Sequence, residues 1–376
     1  MVRVAVNVEQ LLHEAPGGIG RYTAELVRLL PAHGVTVTPF TARHPRAQVE
    51  RALADHDLTG LDPVILPLPA AVLYDAWHLL GLAGPARRVA PVDLVHAPSP
   101  AVPPTGAVPL VVTVHDAAPM VMPEAFTRRG VIFHRQGFAA AAKRARLVIA
   151  VSEFSADEIA SHTPIPRDRI RVVPNGVDLE AATPQRVDDV RRAFGIDDRP
   201  YVFWAGTFQP RKNVRTLLDA FARLDADAVP HRLVLAGPPG WKPDDDDGDV
   251  ARQLGDRVRL LGPVSRAHIF PLFAGADVFA FPSRHEGFGI PVVEAMAQGT
   301  AVVCSDIPAL REVAGDAAVF VAPDDVTGWV DALHSLLTDD GARAALVARG
   351  YERVARYSWE RCTAATVAVY REALSG

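Results

Sequence analysis

Short apolar runs alternate with segments whose apolar positions recur at helical spacing, from one end of the chain to the other. In the first half the runs are Val2–Val6, Val35–Phe40, Val64–Leu68, Leu94–His96, Leu110–Val114, Leu147–Val151 and Ile170–Val173. In the second half they are Tyr201–Ala205, Arg232–Ala236, Val258–Leu261, Val278–Phe281, Ala301–Cys304 and Ala318–Val321. Val, Ile, Leu and Phe dominate these runs, with little polar alternation, as in strands buried on both faces of a parallel sheet. The pattern predicts an α/β protein built of βαβ units.

The alternation restarts after residues 174–198, a polar stretch with scattered Pro and Gly that reads as a domain boundary. Three parts are expected: residues 1–178, residues 179–357, and a terminal segment 358–376. In that segment Trp359, Thr363, Val367 and Tyr370 share one side of a helix. Two doubly wound domains facing across a cleft would bind ligands at the carboxyl ends of their strands.

The chain has 376 residues, 49% of them hydrophobic, which suffices for two cores. Its net charge of −5 argues against a dedicated nucleic-acid binder. Two cysteines, Cys304 and Cys362, make no disulfide framework and suit a reducing compartment. The start, Met1-Val2-Arg3-Val4, lacks a signal-peptide layout, and no apolar run reaches the roughly 20 residues of a membrane span. A cytoplasmic protein is expected, with contact at the inner face of a membrane left open. Four adjacent aspartates, Asp244–Asp247, lack the ligand spacing of a metal loop and read as solvated surface. The stretch from Thr127 to Arg146 sets six Lys and Arg among Val131, Ile132, Phe133 and Phe138. Such a helix suits anionic lipid, although a solvated surface helix is the commoner outcome.

The run Arg284-His-Glu-Gly-Phe-Gly-Ile-Pro-Val-Val-Glu294 is the richest in chemistry. It follows the apolar strand ending at Phe281 and leads into a predicted helix, Val292–Gln298. A glycine turn that opens a helix presents free N–H groups and the positive end of the dipole, which suits phosphate. Glu286 and Glu294 beside it suit hydroxyls as acceptors, although a carboxylate that merely complements a helix dipole would explain one of the two. Upstream, Gly206 and Thr207 end a strand, and Arg211-Lys212-Asn213 are expected to open the helix Val214–Leu224. Two cations there oppose the dipole until an anion arrives, unless they form a plain basic turn. In the first half, Gly17-Gly18-Ile19-Gly20 sits between the first strand and a helix predicted over Arg21–Leu30. Its spacing is not that of a dinucleotide fingerprint. His115 and Asp116 end a buried strand, where cleft residues sit, and the carboxylate is placed to orient the imidazole; a structural histidine is the bland alternative.

These motifs, in this order, resemble retaining nucleotide-sugar glycosyltransferases of the GT-B fold, in particular glycosyltransferase family 4. The resemblance also takes in Pro174-Asn175-Gly176-Val177-Asp178 and extends over nearly the whole chain. It implies two Rossmann-like domains, the first for the acceptor and the second for the donor, with the terminal helix returning to the first. It implies that Lys212, helped by Arg211, holds the donor diphosphate and that Glu294 binds ribose. Glu286 would face the transferred sugar and His115 would orient it. The backbone of Gly287, Phe288, Gly289 and Ile290 would meet sugar and phosphate oxygens. Gly18 would meet donor phosphate or acceptor, and Val264, after Leu261-Gly262-Pro263, would lie near the base. Thr207 departs from the arginine that many members carry directly after the glycine, a departure shared by a subset with Gly-Thr and Pro-Arg-Lys-Asn.

The expected activity is metal-independent transfer of a hexose, with mannose from GDP-mannose preferred and UDP-sugars next. The acceptor would be a saccharide, a lipid-linked saccharide or a small molecule. No cofactor and no metal are expected. A sugar-nucleotide epimerase of the same architecture would need further acid–base groups. A silent nucleotide-sugar binder is the third reading, and the glycine spacing disfavours a nicotinamide enzyme.

Overall fold

The computed structural model describes residues 2–13, 17–196, 198–240 and 250–375; Asp244–Asp247 lie outside them. The chain forms two compact units. The first comprises the residues up to Pro123, Arg128–Gly176 and the chain from Trp359 onward; the second comprises Glu124–Thr127 and Val177–Ser358.

The first unit holds a parallel sheet of β1 (Val2–Asn7), β2 (Val35–Thr41), β3 (Val64–Ile65), β4 (Leu94–Ala97), β5 (Leu110–Val114), β6 (Leu147–Ala150) and β7 (Ile170–Val172). Their order is β3-β2-β1-β4-β5-β6-β7, so the winding reverses between β1 and β4. Alternate strand residues feed two cores. Val4, Val6, Val111 and Ile149 enter one, and Ala5, Val112, Val114 and Val148 the other. The first core is closed by the helix Gly17–Leu29 and by the chain's last helix, Trp359–Ser375, through Trp359, Cys362, Val367 and Tyr370. Gly176 makes that closure fit, because a Cβ there would lie 2.4 Å from the Trp359 nitrogen.

The second unit repeats the plan. Its parallel sheet runs β10-β9-β8-β11-β12-β13, with β8 (Tyr201–Ala205), β9 (Arg232–Ala236), β10 (Val258–Gly262), β11 (Val278–Phe281), β12 (Ala301–Ser305) and β13 (Val319–Val321). The winding reverses between β8 and β11. One face is aromatic: Phe203, Phe273 and Phe279 meet edge to face or tilted, with centroids 5.0–6.2 Å apart. Aromatic pairs of this kind favour one packing over its alternatives.

Two local expectations are corrected. The stretch 174–198 is not linker throughout, because Pro184–Ala193 is a helix started by Thr183, whose hydroxyl accepts from the Arg186 amide at 3.4 Å. Gly17 and Gly18 do not stand ahead of a helix beginning at Arg21: the helix spans Gly17–Leu29, and Gly17, with φ +59°, is the point at which the chain swings into it. Both cysteines are buried as free thiols. No helix among the described residues is long and apolar enough to cross a membrane.

Candidate active site

Within the second unit the chemistry gathers at the carboxyl ends of β8 and β11, the pair that flanks its winding reversal. Ligands bind at this point in open α/β sheets, because the loops diverge there and leave a crevice. β8 runs out through Gly206 and Thr207, both half-buried, into a single 3-10 turn, Pro210–Lys212. Gly237, at the end of β9, has φ +153°, and a Cβ there would lie 1.7 Å from the Gly206 carbonyl oxygen. Glycine thus lets the two strand ends close onto each other, a requirement on Gly237 that sequence reasoning missed.

Arg211 and Lys212 do not open the following helix as expected. They end their own short turn, and Asn213 separates them from the helix Val214–Ala222 by taking φ +54°. Its side chain donates to the Pro323 carbonyl at 2.8 Å and accepts from the Thr216 hydroxyl at 2.9 Å. The turn therefore aims its cations towards the loop after β11 instead of along the helix axis.

That loop carries the matching charge. Lys212 Nζ donates to Glu286 Oε1 at 2.5 Å, and Arg211 Nη1 lies 3.5 Å from Glu286 Oε2. Lys212 also sits over the Phe281 ring, 4.8 Å from its centroid. Arg211 donates to the His285 carbonyl at 3.2 Å and to Gln209 Oε1 at 3.2 Å. Backbone bonds lock the two segments together: the Arg284 amide donates to the Arg211 carbonyl at 2.8 Å, and Arg284 Nη1 to the Pro210 carbonyl at 3.1 Å. Arg284 further donates to Asp324 at 2.7 Å. His285, Gln209 and Asp324 are contributors that sequence reasoning did not single out. Each lies in a loop and reaches the cluster only through the fold, so it carries no spacing signal.

Lys212 and Glu286 are both buried. Burial pushes the Glu286 carboxyl up, but the charges of Lys212 and Arg211, with hydrogen bonds to the carboxylate, outweigh it and bring the pKa down to about 2. Glu286 is therefore a carboxylate at any working pH and not a proton donor. The cluster of two cations and one carboxylate keeps one positive charge in excess. An ammonium has three N–H donors and a guanidinium five, so both cations can hold Glu286 and still reach an anion.

Gly287, Phe288 and Gly289 are buried, and Ile290 begins the helix Ile290–Ala297. Gly289 caps it with φ +94°, and a Cβ there would come 2.4 Å from Leu310 Cδ2. Glu294, expected in the opening turn, is the fifth helical residue and is buried one turn further in. The structure thus brings together Arg211, Lys212 and Glu286. Val264 stands apart in topology: it is half-buried after β10, the edge strand, two places from β8. Among the described residues there is no group of three or more His, Cys, Asp and Glu placed to hold a metal ion.

In the first unit, His115 follows β5, and its Nε2–H donates to the Pro98 carbonyl, just past β4, at 3.0 Å. That bond leaves Nδ1 as the acceptor nitrogen. Burial pushes its pKa down, which favours the neutral ring. Asp116 does not orient the imidazole as expected; its carboxylate accepts from the Ala118 amide at 3.0 Å instead. The Tyr22 ring packs edge-on against His115 at 5.1 Å, and Tyr22 joins a buried chain running Tyr22–Thr113–His96–Tyr370 with steps of 3.0, 2.9 and 2.7 Å. Gly18 is exposed in the first turn of the helix Gly17–Leu29.

Residues 16–181 match the family model for Glycosyltransferase Family 4, and residues 187–353 match that for Glycosyl transferases group 1. The chain is 33% identical to O-antigen chain mannosyltransferase B of Escherichia coli over 270 residues, covering 69% of this chain and 70% of that one. It is 37% identical to phosphatidyl-myo-inositol mannosyltransferase of Mycolicibacterium smegmatis over 210 residues, covering 54% of this chain and 52% of that one. It thus spans about half the length of that relative. Among solved structures it resembles sucrose-phosphate synthase from Thermosynechococcus elongatus, with TM-score 0.76, 21% identity and full coverage of both chains. It also resembles Anabaena HepE in complex with UDP and glucose, with TM-score 0.75, 21% identity and 99% and 100% coverage. Two parallel doubly wound units, the reversal-point motifs and these matches agree, and the chain belongs to the GT-B glycosyltransferases of family 4, group 1.

Proposed function

We propose that the protein is a retaining, metal-independent hexosyltransferase that takes mannose from GDP-mannose. The observation that carries the reading is the buried Lys212–Glu286 pair, with Arg211 beside it, at the β8/β11 reversal point. A leaving nucleoside diphosphate gathers negative charge as the glycosidic bond breaks. The excess positive charge of this cluster and the amides of Gly287–Ile290 meet that charge without reorganising. Lys212 and Arg211 hold the diphosphate, in place of a metal. Glu286, fixed as a carboxylate, faces the positive charge that develops at the anomeric carbon. Glu294 accepts from the ribose hydroxyls. In the first unit, His115 offers Nδ1 to a hydroxyl of the transferred sugar, and the acceptor is a saccharide, a lipid-linked saccharide or a small molecule. Two adjacent cations hold the Glu286 carboxyl low, which suits stabilisation of positive charge at the anomeric carbon better than the proton donation an epimerase requires.

The mannose preference is supported by the names of the two mannosyltransferase relatives. A UDP-hexose is the second reading, favoured by the UDP-glucose bound in HepE. The test is turnover of GDP-mannose and UDP-glucose by purified protein in excess chelator, with the product anomer read by NMR. Turnover of GDP-mannose with an axial product is expected. Turnover of UDP-glucose alone replaces the donor, an equatorial product from GDP-mannose refutes retention, and activity that needs added metal refutes the cationic cradle.

A further inference from the structure

Exposed large apolar side chains on a soluble unit are ordinarily scattered singly. Here four of the ten found among the described residues fall within eleven positions: Val72, Leu79, Leu80 and Leu82, at 53%, 63%, 67% and 59% exposure. They belong to the segment made of the helix Ala70–Asp75, one wider turn over Ala76–Leu80, and Gly81-Leu82. The wider turn matters, because it stands Leu79 and Leu80 side by side in solvent while Trp77 stays in the core. A fifth, Ile132 at 53%, comes from the helix Arg128–Arg144, against which this segment packs. Phe133 of that helix meets Tyr74 at 5.6 Å and His78 at 5.2 Å between ring centroids.

The charge around these side chains is one-sided. Residues 70–90 and 128–146 together hold eight Lys and Arg against a single carboxylate, Asp75, in a chain whose net charge is −5. Asp75 lies 3.9 Å from Arg129. On the helix, Arg128, Ile132, Arg135, Ala139 and Lys143 recur at helical spacing and are all exposed, so the apolar tip of Ile132 stands in a basic stripe. Arg87 and Arg88 are exposed just beyond Leu82.

Bare leucines set among cations, almost without acids, are the composition of a surface that enters the headgroup layer of an anionic bilayer. A protein partner would need an acidic rim and an apolar centre both matched to this outline, whereas a bilayer supplies anionic headgroups and acyl chains together. We infer that the Val72–Leu82 segment and the Arg128–Lys143 helix face form a docking surface for an anionic lipid membrane. A transferase held there meets acceptors that are themselves anchored in the bilayer. The inference concerns the first unit alone and does not rest on the identity of the donor.

The test is sedimentation of the full chain with vesicles of phosphatidylcholine alone or of phosphatidylcholine and phosphatidylglycerol in equal parts. Two variants accompany it, Leu79→Ser/Leu80→Ser/Leu82→Ser and Arg128→Gln/Arg129→Gln/Arg135→Gln, both at exposed positions. The wild type is expected to sediment with the anionic vesicles, to stay in solution with the neutral ones, and to be released by salt. Losing about fivefold per arginine, the arginine variant should partition on the order of a hundredfold less. The leucine variant should lose at least as much, since each leucine withdraws a full apolar side chain. Nucleoside diphosphate affinity, which reads the second unit, should be unchanged in both variants, so failure here is separable from failure of the transferase reading. Wild type that ignores anionic vesicles, or variants that bind them as wild type does, would overturn the inference. A concentration-dependent dimer that the leucine variant dissolves would assign the surface to a second copy instead.

Discussion

Replacing Lys212 by Met keeps the length and apolar stem of the side chain and removes its charge. The consequence can be worked from the pair it leaves behind. Glu286 is buried, and its pKa is brought from an ordinary 4.5 to about 2 against the penalty of burial. At roughly 1.4 kcal/mol per unit, the native surroundings favour the carboxylate by about 3 kcal/mol. Lys212 at 2.5 Å is the nearer cation, and Arg211 at 3.5 Å is the further one. Without Lys212 the burial penalty dominates, and the fold should lose about 3–5 kcal/mol at neutral pH. Glu286→Gln should cost a similar amount by stranding the ammonium. The double variant Lys212→Met/Glu286→Gln strands neither charge, and should lie within about 1 kcal/mol of wild type. Urea unfolding of the four proteins gives the coupling energy as a double-mutant cycle. The pH dependence has a definite sign. In the wild type the Glu286 contribution is fully present above 4.5 and is lost as pH falls towards about 2. In Lys212→Met the carboxyl titrates higher, so that variant should recover stability relative to wild type as pH falls from 7 to 5. All three variants should lose transfer activity, the double variant included, since restoring charge balance does not restore the diphosphate contact. Purely additive single-variant losses with no coupling would refute the reasoning, as would an active double variant.

Three further outcomes are expected. Gly176→Ala should destabilise the protein by about 1–3 kcal/mol in urea unfolding, because its methyl group meets the Trp359 backbone at 2.4 Å and neither side has slack; a neutral result would show that the final helix shifts freely. His115→Ala should lower kcat on the order of a hundredfold while leaving nucleoside diphosphate affinity as in wild type, read by titration calorimetry; equal loss in both would place the histidine in a purely structural role. Glu294→Ala should weaken binding of the nucleoside diphosphate about tenfold to a hundredfold through lost charged hydrogen bonds. The corresponding 2′,3′-dideoxy nucleotide should bind wild type and variant alike, and a difference there would remove the ribose from the assignment.

The two sheets were legible because their strands are buried on both faces, and continuous apolar runs of five residues such as Leu110–Val114 and Tyr201–Ala205, too short to span a membrane, fit the interior of a parallel sheet. The glycine-rich loop after β11 was legible for a different reason: Gly287 and Gly289 interrupt an otherwise bulky sequence between two glutamates. What could not be read was how separate motifs meet. Lys212 and Glu286 are 74 positions apart, and only the strand order, which sets β8 beside β11, makes them an ion pair. The placement of Arg211 and Lys212 at the head of the helix failed because Asn213 adopts a left-handed conformation, a choice enforced by its bond to the Pro323 carbonyl in a distant loop. Asp116 looked like the orienting partner of His115 by adjacency, yet neighbours along an extended chain point apart, and the carbonyl of Pro98 on the adjoining strand end accepts from the ring N–H instead. The helix at Pro184–Ala193 was missed because only Val190 of its residues is buried, so it carries almost no apolar stripe.

The central claim is that the cationic turn after β8 and the glycine loop after β11 hold a sugar-donor diphosphate by protein charge. The most direct measurement is calorimetric titration of the wild-type chain, in excess chelator, with GDP, UDP and their parent nucleosides. One diphosphate should bind at least a hundredfold more tightly than its nucleoside, and Lys212→Met/Glu286→Gln, which leaves Arg211 and the loop amides in place, should cut that difference by about tenfold or more while remaining folded. A diphosphate that binds no better than its nucleoside, or only once a divalent metal is restored, would contradict the account.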